Sequence, residues 1–253
     1  MKRSRNKIIF IFGAAIVILL VLLTSRLFKT DKTAAGIAYL QSLEDKDLSA
    51  LETQIQEQKN ETMKTKIEEG QAEVFPWFAD AVFIGDSRFI PWVNYVDSSR
   101  VLAGNGNTIL QIDSYLGAIE EIQPAKIIVE FGINDLYYDA RWDDDDGSDV
   151  YMERFEVQMD KMLAAAPNAQ LYINDMLAVQ PSILTKYPMW EEINNNYYND
   201  QIQALCKKRG WVYIDNSSLD LDGYADIYQD DGYHFVSSFY PEWAKNIYLT
   251  SLN

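Results

Sequence analysis

"AVFIGDSR", residues 81–88, is a short apolar run that ends at a glycine and gives way to Asp, Ser and Arg. Such a run fits a fully buried strand, and the polar residues behind it fit a loop. Four more stretches share the form: "RVLAG" (100–104), "KIIVEFG" (126–132), "QLYIND" (170–175) and "WVYID" (211–215). Between the runs lie helical stretches such as "VYMERFEVQMDKMLAAAP" (150–167) and "MWEEINNNYYNDQIQALCKKRG" (189–210). Strands alternating with helices predict an α/β domain, a mainly parallel sheet covered on both faces as a three-layer α/β/α sandwich. In such sheets functional groups gather in the loops beyond the carboxyl ends of the strands.

Those loops carry groups suited to acyl chemistry. "GDSR" (85–88) holds Ser87, "GNGNT" (104–108) holds Gly106, and "GIND" (132–135) holds Asn134. "DGYH" (231–234) holds Asp231 and His234, the only histidine of the chain. A serine hydroxyl is a poor nucleophile until a base takes its proton. Histidine is the usual base, and an acid three residues earlier in a turn can hold its ring in the right tautomer. Backbone N–H groups at Ser87 and Gly106, with the side-chain amide of Asn134, would supply three donors to an oxyanion. Each piece has a plainer reading: a lone histidine is usually a packed or exposed residue, and Asn134-Asp135 suits the start of a helix. The four blocks together, each in a loop, favour the chemical reading.

These blocks resemble the SGNH hydrolases, the GDSL-type esterases and lipases, over roughly residues 79–250. The resemblance implies a flavodoxin-like sandwich with Ser87 as nucleophile, His234 as base and Asp231 as its orienting acid. It also implies an oxyanion hole of Ser87, Gly106 and Asn134, with Gly104 the second-best match to the glycine block. It requires neither metal nor organic cofactor. Asp230 also precedes His234, but the family spacing selects Asp231. One departure stands out: the first block continues Ser-Arg-Phe rather than Ser-Leu or Ser-Ile. Arg88 and Asp135 are candidate substrate contacts; a salt bridge with a nearby acid is the alternative for Arg88. Blocks with Arg here resemble those of membrane-anchored or secreted proteins of Gram-positive bacteria. The rival α/β-hydrolase pattern, Gly-x-Ser-x-Gly, lacks its second glycine in residues 85–89.

The N-terminus reads as a membrane anchor. Residues 1–7 form a basic head with Lys2, Arg3, Arg5 and Lys7, and residues 8–25 carry no charge. As a helix they would span about 27 Å, close to a hydrocarbon core. Small residues suited to cleavage come only at 33–35, beyond several charges, so an uncleaved signal anchor with its N-terminus inside is expected over a signal peptide. Residues 26–72 read as a helical stalk that could self-associate, and residues 73–253 as the catalytic domain.

The net charge is −16; beyond residue 7 the chain holds 18 basic against 38 acidic side chains. That surface repels phosphate backbones and excludes nucleic acid as a partner. The single Cys206 cannot form an internal disulfide and reads as a small core residue. "WDDDDGSDVYME" (142–153) partly fits a calcium loop, but its first ligand position would be Trp142; a solvated acidic loop is preferred. Aromatics cluster near the blocks: Trp77, Phe78, Phe89, Trp92, Tyr95, Tyr137, Tyr138 and Trp142. Some belong to the core and others could line an acyl pocket or stack on sugar rings. Asn194, Asn195, Asn196 and Asn199 read as the polar face of a helix. The expected function is an extracytoplasmic, membrane-anchored serine esterase acting on short-chain esters such as O-acetyl groups of cell-surface carbohydrate. An O-acyltransferase with the same triad and a glycan acceptor, or a non-catalytic glycan-binding module, are the alternatives.

Overall fold

All five apolar runs form strands in the computed structural model. β1 (Ala81–Gly85), β2 (Val101–Ala103), β3 (Lys126–Glu130), β4 (Gln170–Asn174) and β5 (Val212–Ile214) make one sheet in the order β2-β1-β3-β4-β5, with every pairing parallel. This is the flavodoxin-like order, in which the winding reverses between β1 and β3 and leaves a crevice outside their carboxyl ends. The described residues are 36–37, 48–138, 150–219 and 225–252. The expected anchor (8–25), the basic head and the acidic loop (143–149) lie outside them. Among the described residues no helix is long and apolar enough to cross a membrane.

The α-helices of the described residues from 48 onward are α1 (Leu48–Glu68), α2 (Ile112–Ile122), α3 (Ile133–Tyr137), α4 (Tyr151–Ala165), α5 (Glu191–Asn194), α6 (Tyr197–Arg209) and α7 (Phe239–Thr250). Strand alternation decides which layer each residue joins. Val82, Ile84, Ile127 and Val129 face one way and pack with Ile119 of α2, Met159 of α4 and Ile202 of α6. Ala81, Phe83 and Ile128 face the other way and pack with Trp92 and with Trp243 and Ile247 of α7. The sheet is therefore covered on both faces, and its strands read as unbroken apolar runs for that reason.

The chain divides into two compact units, residues 1–58 and 59–253. The second begins ahead of residue 73, where the composition changes, because Ile67 is buried in the second core cluster and Met63 packs against it. The stretch 189–210, expected as one helix, is divided. Asn196 stands at φ +60 between α5 and α6, a conformation asparagine tolerates better than most residues. Cys206 is buried in the core, and burial pushes its thiol up to about 12.

β1 sits so close to β3 at its end that residue 85 can carry no side chain. A Cβ there would stand 2.6 Å from the Glu130 carbonyl oxygen and 2.9 Å from the Phe89 ring. Glycine at this point lets the chain turn immediately into Asp86 and Ser87 at the mouth of the crevice.

Candidate active site

Ser87 leaves β1 at that crevice, and His234 reaches it from the loop before α7. His234 Nε2 lies 2.8 Å from Ser87 Oγ, and His234 Nδ1 lies 2.7 Å from Asp231 Oδ2. The other carboxylate oxygen, Oδ1, accepts the backbone N–H groups of Tyr233 at 3.1 Å and His234 at 3.0 Å. The short spacing in "DGYH" therefore builds a turn whose first residue both closes the loop and holds the ring. Burial pushes the Asp231 carboxyl up, but hydrogen bonds from the His234 ring, its backbone and Tyr233 outweigh it, and the net shift is downward. An ionised carboxylate only accepts, so it fixes the proton on Nδ1 and leaves Nε2 free to accept from Ser87.

Gly106 and Asn134 border the same pocket as Ser87 and His234. The Asn134 Nδ2 donates to the Asn107 carbonyl at 3.0 Å, which fixes the amide while leaving it a second N–H. Gly106 has φ +72, a conformation that favours glycine, while a Cβ there would meet only the Tyr138 hydroxyl in ordinary contact at 3.4 Å. Gly104, the other glycine of this block, is not among the pocket residues.

Asn107 was not singled out from the sequence. It is buried, and its Nδ2 donates to the Gly85 carbonyl at 3.2 Å and to the Tyr115 hydroxyl at 2.8 Å, while its own carbonyl receives Asn134. It thus joins the first, second and third blocks. The repeated asparagine in "GNGNT" was the only available signal. Asn194 and Asn199 are also more than a polar face. Asn194 brackets the backbone of Val179 and Asn199 that of Met176, each accepting one N–H and donating to one carbonyl. They hold the loop that follows β4.

Two expected substrate contacts are corrected. Arg88 and Asp135 are completely buried and neither borders the pocket. Arg88 turns beneath the site and pairs with Glu130 at 2.5 Å, so the salt-bridge alternative holds. Asp135 accepts the Ile109 N–H at 2.9 Å and so braces the chain after the glycine block. Burial pushes its carboxyl up to about 7.

The pocket has a volume of about 330 Å³, the lower end of the range for small-molecule sites. The blocks also contribute Asn105, Ile133 and Tyr233 to its walls, and Tyr137, Tyr138, Tyr187 and Trp190 complete them. Only Tyr137 and Tyr138 of the aromatics expected near the site are here. Phe78, Phe89 and Trp92 are core, Trp77 and Tyr95 pack against it, and Trp142 lies outside the described residues. Tyr233 arrives with His234 in the last block, whereas Tyr187 and Trp190 come from a segment outside every block, and only the fold brings them in. Trp190 is fixed by its ring N–H, which donates to the Ile133 carbonyl at 2.8 Å. Among the described residues no group of three His, Cys, Asp or Glu side chains could hold a metal ion.

The model of the GDSL-like lipase/acylhydrolase family matches residues 85–240, more than half of the chain and all four blocks. The chain belongs to this family. It is a serine ester hydrolase by that membership. Among solved structures, this GDSL hydrolase is similar to a Bacteroides fragilis protein described as an acylhydrolase, with 18% identity and a TM-score of 0.50, over 68% of this chain and 86% of the other. It is similar to a hydrolase from the metagenome of Lake Arreo, Spain, with 16% identity and a TM-score of 0.50, over 68% and 95%. A mutant acetylxylan esterase of Geobacillus stearothermophilus shares 14% identity with a TM-score of 0.49, over 66% and 90%. No curated protein sequence matches this one. The two likenesses with a TM-score of 0.50 support the sandwich fold of the hydrolase.

Proposed function

We propose that this chain is a membrane-anchored, extracytoplasmic serine esterase that removes small acyl groups, such as acetyl, from cell-surface carbohydrate. His234 Nε2 takes the Ser87 proton as Oγ attacks the ester carbonyl, and the imidazolium that forms is held by the Asp231 carboxylate. The Ser87 and Gly106 N–H groups and the Asn134 amide receive the oxyanion. His234 then gives its proton to the departing sugar oxygen, which leaves an acyl ester on Ser87. Water, deprotonated by the same imidazole, releases the acid and restores the hydroxyl.

One observation carries the carbohydrate reading. The Ser87–His234 pair opens into a small pocket faced by five aromatic side chains, of which Tyr137 and Tyr138 remain 45% and 60% exposed. Exposed aromatic faces with hydroxyl tips suit a sugar ring, which has apolar faces and a polar edge. A pocket of this size leaves little room for a long acyl chain beside the sugar. The anchor rests on the uncharged residues 8–25 behind a four-charge basic head. The GDSR block, with Arg88, resembles that of Gram-positive envelope proteins.

The test uses the full chain in detergent with an O-acetylated oligosaccharide, and measures released acetate and the mass of the sugar product. Deacetylation that disappears in Ser87→Ala and His234→Ala supports the reading. Acetate release only from simple aryl esters, never from the sugar ester, would overturn the substrate class. An acetylated second sugar, formed when an acceptor is added, would replace hydrolysis by acyl transfer on the same triad. Protease accessibility of the domain in intact cells tests its side of the membrane.

A further inference from the structure

Arg88 replaces the leucine or isoleucine common after the family serine, and it carries a full charge into the core. It is completely buried, as is Asp86, and Glu130 is 1% exposed. The guanidinium Nη2 donates to Glu130 Oε1 at 2.5 Å, Nη1 donates to the Leu177 carbonyl at 2.8 Å, and Nε lies 3.9 Å from Asp86 Oδ1. The Arg88 backbone N–H donates to that same Asp86 oxygen at 2.9 Å, and its carbonyl accepts the Tyr240 hydroxyl at 2.8 Å. The guanidinium carbon stands 5.9 Å from the ring centroid of Phe235, the residue after His234. One side chain therefore ties together the ends of β1 and β3, the loop after β4, and the ring beside the base.

The charges around it leave a proton to be placed. Two buried carboxyl groups face one guanidinium. Burial pushes both carboxyls up against the pull of the Arg88 charge. They lie within hydrogen-bonding reach of each other, while Asp86 Oδ2 and Glu130 Oε2 have no other partner among the described residues. A single proton shared by the two carboxyl groups neutralises the assembly and lets one donate to the other. A buried ion pair of this kind rarely adds stability over an apolar replacement of the same shape.

We propose that Arg88 is a positioning residue, which with an Asp86–Glu130 pair sharing one proton holds the Ser87 N–H and hydroxyl in register with His234. This rests on Ser87 being the nucleophile. A lysine keeps the charge but cannot reach Glu130 and the Leu177 carbonyl together, because it lacks the planar fork.

The experiment compares the full chain with Arg88→Lys, Glu130→Gln, the double variant Arg88→Leu/Glu130→Leu, and Ser87→Ala, using p-nitrophenyl acetate, melting curves and the NMR signals of the single histidine ring. Arg88→Lys is expected to lower kcat about 10- to 100-fold with KM within about twofold, as a misplaced catalytic group does, and to shift the His234 ring signals. The double variant removes both ends of the Arg88–Glu130 pair and leaves Asp86 buried as the neutral acid; it is expected to melt below the parent and to keep the low kcat where it folds. Glu130→Gln imitates the protonated acid and is expected to stay within about threefold of the parent. Folded Arg88→Lys or double variant with parental kcat would overturn the positioning role. Glu130→Gln as damaged as Arg88→Lys would overturn the shared proton. Undiminished hydrolysis by Ser87→Ala would instead sink the nucleophile reading on which both rest.

Discussion

Asp231→Asn isolates the orienting role of the acid from its structural one. Oδ1 of Asp231 receives two backbone N–H groups, and Oδ2 alone meets the His234 ring at 2.7 Å. An asparagine can keep its carbonyl oxygen on the two backbone donors and so preserve the turn. Its NH₂ then faces Nδ1 and donates to it, which forces the imidazole proton onto Nε2. In that tautomer Nε2 cannot accept from Ser87 Oγ, 2.8 Å away. Loss of the correct tautomer and of the charge that stabilises the imidazolium is expected to lower kcat about 10³- to 10⁴-fold, the size seen for this substitution in an unrelated serine protease. That equals roughly 4–5.5 kcal/mol of activation free energy. KM is expected to stay within about twofold, because the change touches the transition state rather than the pocket walls. The melting temperature should stay within a few degrees, since roughly 1 kcal/mol shifts a domain of this size by about 2–4 °C. The assay is hydrolysis of p-nitrophenyl acetate with a melting curve on the same sample, and a ¹⁵N spectrum of the sole histidine reads the tautomer directly. A folded variant with kcat within about tenfold of the parent would refute the reasoning. So would a normal tautomer with a lost kcat.

Three further outcomes are expected. Asn134→Ala removes an oxyanion donor and should lower kcat about 10²- to 10³-fold with little change in KM; steady-state kinetics check it. Gly106→Ala should cost about 1–2 kcal/mol of stability for a side chain at φ +72, read by urea denaturation, and should lower kcat as the chain relaxes away from the pocket. Asp135 has a carboxyl held up to about 7 by burial against an ordinary 3.8. The native state thus keeps a proton that the unfolded state loses, and its contribution to stability declines as pH rises between those values. Asp135→Asn should flatten that decline relative to the parent, measured as urea midpoints at about pH 5 and pH 8; an unchanged difference would refute it.

The strands were legible because a parallel sheet covered on both faces demands unbroken apolar runs, and "AVFIG" and "KIIVE" can serve no other purpose so economically. The catalytic blocks were legible because acyl chemistry needs Ser, His and an acid in turns whose spacing is local. "DGYH" places Asp231 on His234 within one turn, whatever the rest of the chain does. Side-chain direction was not legible. Arg88 follows Ser87 and so looked like a neighbour of the substrate. Consecutive residues leaving a strand point to opposite sides, and Arg88 turns down to Glu130 while Ser87 turns up to His234. Asp135 fails as a substrate contact for a helical reason: it follows Asn134 in α3, where successive side chains point about 100° apart, and it turns inward to the Ile109 N–H.

The pocket walls were the least legible part, and the sheet order explains why. Winding reverses between β1 and β3, so the loops after β1, β2 and β3 converge on one crevice, and their blocks meet there. The loop after β4 reaches the same crevice only because Asn194 and Asn199 pin its backbone at Val179 and Met176. That restraint brings the following segment, with Tyr187 and Trp190, to the rim beside Tyr137. The wall that should choose the alcohol is thus set by two asparagine clamps, Asn199 buried and Asn194 half-buried, with no chemistry of their own. Loosening a clamp, as in Asn194→Ala, should raise KM for a sugar ester while leaving kcat for p-nitrophenyl acetate nearly intact, because the triad and oxyanion donors come from other loops. Equal losses with both substrates would mean that the β4 loop supports the triad itself rather than the sugar wall.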